Sequence, residues 1–599
     1  MLNSKFFKAM KKNKYILSLL AIAVFLFSAC TDNYENFPVD QFTNSYFFSK
    51  TDSMGVQVRQ FLNSIYDLLP SGHNDHGGDY LDTATDDALS IKQDDPDVYK
   101  LLVGRYSANT RIRPAMEWSR YYEGIRQVNV LIDSIEVVPI ILKFKNVDGE
   151  EKALNHTIKA EARFLRTLFY FELVKRYGGV PLIHDKIFKL NDDLELPRNS
   201  FEECIDYMVS ELEDIKMDLR SVTMADNTEY AHAATYEAAM ALKSRILLYA
   251  ASPLFNGQTI STTKDEQKEL VGYTDYDAER WKKAADAAMD FIESQGHKGN
   301  KSNALTKNFM AIFLSYYNKS SNPELIFFRQ GGKSKTVETK NGPLGFSGNA
   351  LGNGRTNPTQ NLVDAYLMKD GKLRGESTLY PYNPQKPYEN RDPRLDLTIL
   401  HNGSNWLGRV LETNQGGANN PTGSAEYTRT SYYMRKFMGN FGATPEYSNN
   451  QHLWIIFRYA EILLNFAEAE NEYLPAPSKD VYDAIIALRE RAGIEKGSDK
   501  LYGLEPNMTK SQMREVIRNE RRIEMAFEEQ RFWDIRRWRA AEDIFSTPLR
   551  GMSIVKSLSS VTYTEVDLVN VVFNERQYLF PIPYSEVIKN SNMVQNPNW

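Results

Sequence analysis

Apolar side chains at Ile158, Ala162, Leu165 and Phe169 recur at steps of four, three and four residues, the repeat of one face of an α-helix. The run ends in RYGGVPL (176–182), where two glycines and a proline follow the last helical turn in the order that stops a helix. Asn199 and Ser200 then open a second helix with the stripe Phe201, Ile205, Met208 and Leu212, and Cys204 beside that stripe is read as a small buried side chain. The pattern returns at 235–255 with 277–294, at 457–473 with 481–494, and as a fourth zone at 513–538. Ala162, Ala241, Ala467 and Ala526 allow close approach between helices, and pairs of this kind bury their apolar faces by stacking on their neighbours.

The expected architecture is therefore all-α. It resembles a tetratricopeptide-like superhelix of helix pairs, although no clean 34-residue period is present. Between the zones, residues 295–450 are rich in Gly, Asn, Pro and Tyr and lack helical periodicity, as in GPLGFSGNALGNGRTNPTQ (342–360) and YPYNPQKPYENRDPRL (380–395). An irregular stretch of that length inside a folded protein points to a binding surface. A second such stretch is 70–90. Aromatic residues make up 12% of the chain, with 34 tyrosines, the side chain suited to flat apolar surfaces that still form hydrogen bonds.

The N-terminus carries Lys5, Lys8, Lys11, Lys12 and Lys14 ahead of an apolar run, Tyr15 to Phe27, that is too short to span a bilayer. Ser28 and Ala29 are small, and Cys30 follows directly. The pattern resembles a bacterial lipoprotein signal, with Phe27 standing where a smaller aliphatic residue is usual. Lipidation at Cys30 would leave the mature protein tethered at one end. The expected divisions are a signal peptide at 1–29, a tether at 30–50 and one domain over 51–599, with helix-pair zones at about 151–294 and 455–543 and a loop-rich insert at about 295–450. With Cys30 lipidated, Cys204 has no intramolecular disulfide partner. Lys+Arg 72 against Asp+Glu 78 gives a net charge of −6, which gives no indication of nucleic-acid binding.

No catalytic set stands out. His73 and His76 with Asp75 and Asp79 make a weak metal pattern without helical HExxH spacing, and whether the chain holds a metal is left unknown. Asp94, Asp95 and Asp97 are read as a solvated acidic loop whose oxygens could hold a structural calcium; no other cofactor is expected. GGKSK (331–335) lacks the first glycine of a P-loop, GFSG (345–348) is not a nucleophile elbow, and no carboxylate pair is singled out for glycoside hydrolysis. The densest charged motif is RNERRIEMAFEEQRFWDIRRW (518–538). On one continuous helix Glu520, Glu524 and Glu528 lie a turn apart, with Arg521, Arg522 and Arg531 available to neutralise them. This is read as a network fixing one helix against its neighbours, with Phe532, Trp533 and Trp538 as packing anchors.

Taken together, the lipoprotein-like start, AEARFLRTLFYFELVKRYGGVPL (160–182), LPRNSFEECIDYMVSELE (196–213), RYAEILLNFAEAENE (458–472), the charged motif and the ending LFPIPYSEVIKNSNMVQNPNW (579–599) resemble the SusD/RagB family. The resemblance implies four tetratricopeptide-like helix pairs with loops and short strands packed against them. It also implies a surface-exposed outer-membrane lipoprotein that binds an oligosaccharide without cleaving it and caps a TonB-dependent, SusC-like transporter barrel as a lid. A sugar needs aromatic platforms flanked by planar polar groups. By position, the candidate ligand contacts are Asp79, Tyr80, Arg111, Trp118, Phe346, Asn349, Asn353, Arg355 and Trp406. The rival readings are uptake of a peptide or other non-glycan nutrient, a glycoside hydrolase, and a helical adaptor whose ligand is the barrel alone.

Overall fold

The computed structural model describes residues 44–599 other than 190, 222–231, 258–259, 262, 295–303, 315–321, 347–353, 422–427 and 440–445. The signal, Cys30, Asn349 and Asn353 lie outside the described residues. Folded chain already begins within the stretch assigned to the tether: Asn44–Phe47 is a helical turn, and the rings of Phe47 and Phe48 lie 5.3 and 5.2 Å from Phe61.

Ten helices carry the frame: α1 (Val56–Tyr66), α2 (Ser119–Ser134), α3 (Leu154–Tyr177), α4 (Phe201–Ile215), α5 (Tyr236–Ala251), α6 (Glu279–Ser294), α7 (Tyr459–Tyr473), α8 (Lys479–Ala492), α9 (Lys510–Glu524) and α10 (Gln530–Arg537). From α1 to α8 each helix packs on the next, and α9 returns to α7, the stacking of a tetratricopeptide-like array. Their boundaries follow local chemistry. Ser200 and Glu203 form a capping box at the start of α4, Thr235 and Ser478 cap α5 and α8, and Gly493 ends α8 in the left-handed conformation. At the end of α3, Gly178 has φ +77, and a Cβ there would sit 2.2 Å from the carbonyl oxygen of Leu270. Only glycine permits that approach. The predicted stripe Ile158, Ala162, Leu165 and Phe169 is buried along α3, and Cys204 is buried beside Ile205, where burial pushes its thiol up to about 12.

The fourth zone is not one helix. α9 stops at Glu524 and α10 starts at Gln530, and between them Phe527 and Glu529 adopt positive φ (63° and 57°). The freed carbonyls are taken by buried cations: Arg458 donates to Glu524 O at 2.9 Å, and Lys436 to Glu524 O at 3.1 Å and Ala526 O at 2.8 Å. The charge network is present but with other partners than expected. Glu524 faces Arg458 and Arg394, Glu520 faces Arg394 and Arg489, and Glu528 faces Arg458 and Lys436, all within 2.7–3.0 Å. Arg521 instead holds Asp534, while Arg522 and Arg531 hold Asp86 and Asp87. Arg521 and Arg522 follow Glu520 by one and two residues and so point to other faces of α9, while the turn after Glu524 carries Arg531 onto α10. Phe532, Trp533 and Trp538 are buried, in keeping with their role as anchors.

The loop-rich insert has its own apolar core, which includes Tyr80, Phe346, Trp406, Tyr432, Tyr433, Phe437 and Trp454. The antiparallel pair β1 (Leu325–Ser334) and β2 (Asn450–Arg458) joins it to the helical core: Ile326 and Phe327 pack with the helices, Leu325 and Phe328 with the insert. A hairpin of β3 (Leu549–Lys556) and β4 (Val561–Val569) contributes Met552 and Ile554 to the same core.

Candidate functional site

The candidates from the early loop are internal. Asp79 is fully buried, accepting from Ser90 Oγ at 2.9 Å and Arg355 at 2.8 Å; burial pushes its carboxyl up to about 6 against the pull of that guanidinium. Arg355 is also tied to Gly77 O at 2.6 Å. Tyr80 stacks on Phe437 at 5.7 Å and meets His73 Nδ1 at 2.8 Å. The other nitrogen of His73 faces Leu453 O at 3.1 Å; a carbonyl only accepts, so Nε2 carries the hydrogen and the Tyr80 hydroxyl donates to Nδ1. Burial, reinforced by nearby His452, pushes His73 down to about 3. His76 turns instead to Glu529 at 3.1 Å, and Asp75 accepts from Gly72 N at 2.8 Å, so the four residues with a metal-like spacing point to separate partners.

Three aromatic candidates are also corrected. Trp118 packs edge-on against Tyr177 at 5.1 Å, Phe346 lies under Arg409 at 3.9 Å, and Trp406 donates to the Tyr447 hydroxyl at 3.4 Å beneath Arg435. All three rings are buried, because the helical and insert cores claim them. Arg111 is exposed. Likewise in the acidic loop Asp95 pairs with Arg105 and Asp97 with Lys100.

A half-buried aromatic surface does exist, in the irregular stretch 380–395, none of whose residues is among the predicted ligand contacts. Tyr388 lies flat on His401 with ring centroids 3.8 Å apart and edge-on to Tyr563 of β4 at 5.8 Å. Its hydroxyl donates to Tyr432, which passes the hydrogen bond to Gln360 at 2.5 Å. Gln385 grips the Tyr563 backbone as a strand would, accepting from its N–H and donating to its carbonyl, both at 3.1 Å, and Asn402 donates to the Tyr563 hydroxyl at 3.1 Å. Beside them the guanidinium of Arg374 lies 4.8 Å from the centre of half-buried Tyr382. Arg374 and Arg550 together hold Asp364 and Glu565 in a closed ring of ion pairs linking loop, short helix and hairpin.

Three tyrosines thus share a surface with two planar amides, an imidazole and a guanidinium. Such a surface offers apolar ring faces for C–H groups and donors and acceptors for a rim of hydroxyls. Asp364 and Glu565 are each committed to two guanidiniums and are poorly placed to shuttle protons. Among the described residues no helix is long and apolar enough to cross a membrane.

Residues 323–599 match the model of the SusD family, and residues 45–248 match a model described as starch-binding and associating with the outer membrane. The SusD-like protein P38 of Formosa agariphila is 21% identical over 559 residues, 90% of this chain and 94% of that one. A SusD-like protein from Bacteroides fragilis superposes with a TM-score of 0.72 at 25% identity, covering 93% of this chain and 99% of that one. A SusD-like carbohydrate binding protein from the same species does so with a TM-score of 0.69 at 23% identity, covering 92% and 99%. The two model matches take in the helical array from α1 to α5 and, separately, everything from β1 to the C-terminus, so the chain belongs to the SusD/RagB family.

Proposed function

We propose that this protein is a surface lipoprotein that captures an oligosaccharide on the Tyr382–Tyr388–Tyr563 surface and delivers it, as a lid, to a TonB-dependent transporter barrel in the outer membrane. The observation that carries the glycan reading is the aromatic and amide surface itself, built on rigid supports. The starch-binding, outer-membrane description of the matching family model and the carbohydrate-binding description of the neighbour from B. fragilis support it. The reading is one of binding without cleavage, supported by the pairing of Asp364 and Glu565 with Arg374 and Arg550. Affinity for one chain end should be modest, with polymers retained through repeated contacts.

Electrophoresis through gels containing starch or other polysaccharides tests capture: retardation in at least one gel, lost on Tyr382→Ala with Tyr388→Ala, is the expected result. Retardation by none, with binding of oligopeptides instead, would move the cargo to the peptide class. Mass spectrometry of the mature N-terminus should find acylated Cys30, and gently solubilised outer membranes should yield the protein bound to a large barrel.

A further inference from the structure

A second cleft opens between the insert and the helices, where the loop 367–376 faces the linker 503–508 and the first turns of α9. Its volume is about 590 Å³, within the range of ligand pockets of roughly 300–1,000 Å³. The wall is fixed by a contact that only glycine allows. Gly371 and Gly503 have φ +81° and +82°, and a Cβ on Gly371 would sit 2.2 Å from Tyr502 O, one on Gly503 2.4 Å from the Gly371 carbonyl carbon. Buried Arg489 clamps this seam, donating to Tyr502 O at 2.8 Å and Gly371 O at 3.3 Å while its Nε holds Glu520 at 3.0 Å. The cleft is therefore a standing feature of the insert's docking onto the helices.

Its lining differs in kind from the tyrosine surface. Leu367, Met508 and Val516 give an apolar floor, and Leu373 remains 47% exposed. Among the described residues no aromatic side chain lines it, so a sugar ring finds no flat partner in that lining. Three carboxylates, Glu376, Glu505 and Glu515, stand against two cations, and both cations are already committed: Lys372 pairs with Glu505 and Arg489 with Glu520. Glu376 has no ion-pair partner among the described residues, and Glu515 is exposed, with Arg518 at 3.9 Å. We infer that this cleft binds a short basic peptide segment, seating a lysine or arginine side chain with its ammonium or guanidinium at Glu376 and Glu515 and its alkyl stem, with a neighbouring apolar residue, over Leu373, Met508 and Val516. Long cationic side chains suit such a site because their stems cover apolar surface while the charge stays at the rim.

The test is fluorescence anisotropy with a labelled hexapeptide alternating leucine and lysine, titrated with the full-length protein at low and at physiological salt. A matched peptide alternating leucine and glutamate serves as the comparison. Saturable binding of the lysine peptide alone is expected, weakened at least tenfold by Glu376→Gln with Glu515→Gln and severalfold by Leu373→Ser, and weakened by salt because the rim charges are exposed. All three positions are on the surface, and unchanged thermal melting of the variants shows that the fold is intact. Absence of saturable binding up to millimolar protein, equal binding of both peptides, or binding unmoved by the double variant would each overturn the assignment.

Discussion

Removal of one guanidinium from the buried network at the end of α9 should unbalance it and loosen the insert from the helices. Arg458 is fully buried and makes six hydrogen bonds: to Glu324 at 2.6 Å, Glu524 Oε1 at 2.7 Å, both oxygens of Glu528 at 2.7 Å, and Glu524 O and Met525 Sδ at 2.9 Å. Around it, Arg394, Arg458, Arg489, Arg491 and Lys436 stand against Asp392, Glu324, Glu520, Glu524 and Glu528, so five cations meet five carboxylates. Arg458→Met keeps much of the side-chain volume and leaves one buried carboxylate in excess. Breaking a buried pair from one side costs about 3–5 kcal/mol, whereas exchanging both partners for neutral groups costs far less. Urea unfolding followed by tryptophan fluorescence should therefore show a loss of about 3–5 kcal/mol for Arg458→Met and a similar loss for Glu524→Gln. The double variant should lose clearly less than the two added together. A single-variant cost below about 1 kcal/mol, or strict additivity in the double variant, would refute the charge-balance argument.

The early loop carries a pH prediction with opposed signs. Below pH 6.5 the unfolded chain protonates His73 while the folded chain, at about 3, does not, so stability falls as pH drops; Asp79, at about 6 folded and 3.8 unfolded, takes its proton first in the folded state, so stability rises as pH falls from 6. Between pH 6 and 5 the two slopes, each near 1.4 kcal/mol per pH unit at most, should largely cancel; Asp79→Asn should unmask an acid-side loss and His73→Asn an acid-side gain, read from unfolding midpoints against pH. Below pH 4.5, Glu172 and Glu468, both held down to about 2 by the cations beside them, should add steep acid destabilisation as they protonate. Gly178→Ala should cost about 1–3 kcal/mol by calorimetry, because φ +77 and the Leu270 carbonyl both exclude a side chain. Trp406→Ala should lower stability by about 3–5 kcal/mol, leaving polysaccharide retention unchanged below its melting temperature.

The helices were legible where local chemistry closes the account. The α3 stripe, the Ser200–Glu203 box and the glycines after Tyr177 are short-range signals, and the helices they mark fall where expected. The break after Glu524 was not legible, since the groups that satisfy its carbonyls, Lys436 and Arg458, come from 66 to 90 residues away in the chain. The same distance effect misled the choice of ligand contacts. Trp118, Phe346 and Trp406 lie in or beside irregular segments, yet Tyr177, Arg409 and Tyr447 cover them, and nothing local announces such partners. Tyr382 and Tyr388 sit in a stretch already marked as a binding loop, and its repeated Tyr and Asn were the available signal. Tyr563 was missed with its hairpin, although VTYTEVDLV has the β-branched and aromatic composition of a strand.

Glycan binding on the tyrosine surface is read by isothermal titration with the oligosaccharide of any polysaccharide that retards the wild-type protein. Tyr382→Ala with Tyr388→Ala should weaken binding by about 5- to 150-fold, since each ring contact contributes about 0.5–1.5 kcal/mol, and Trp406→Phe should leave it unchanged. Undiminished binding by the double tyrosine variant, with loss in Trp406→Phe, would place the ligand away from the tyrosine surface.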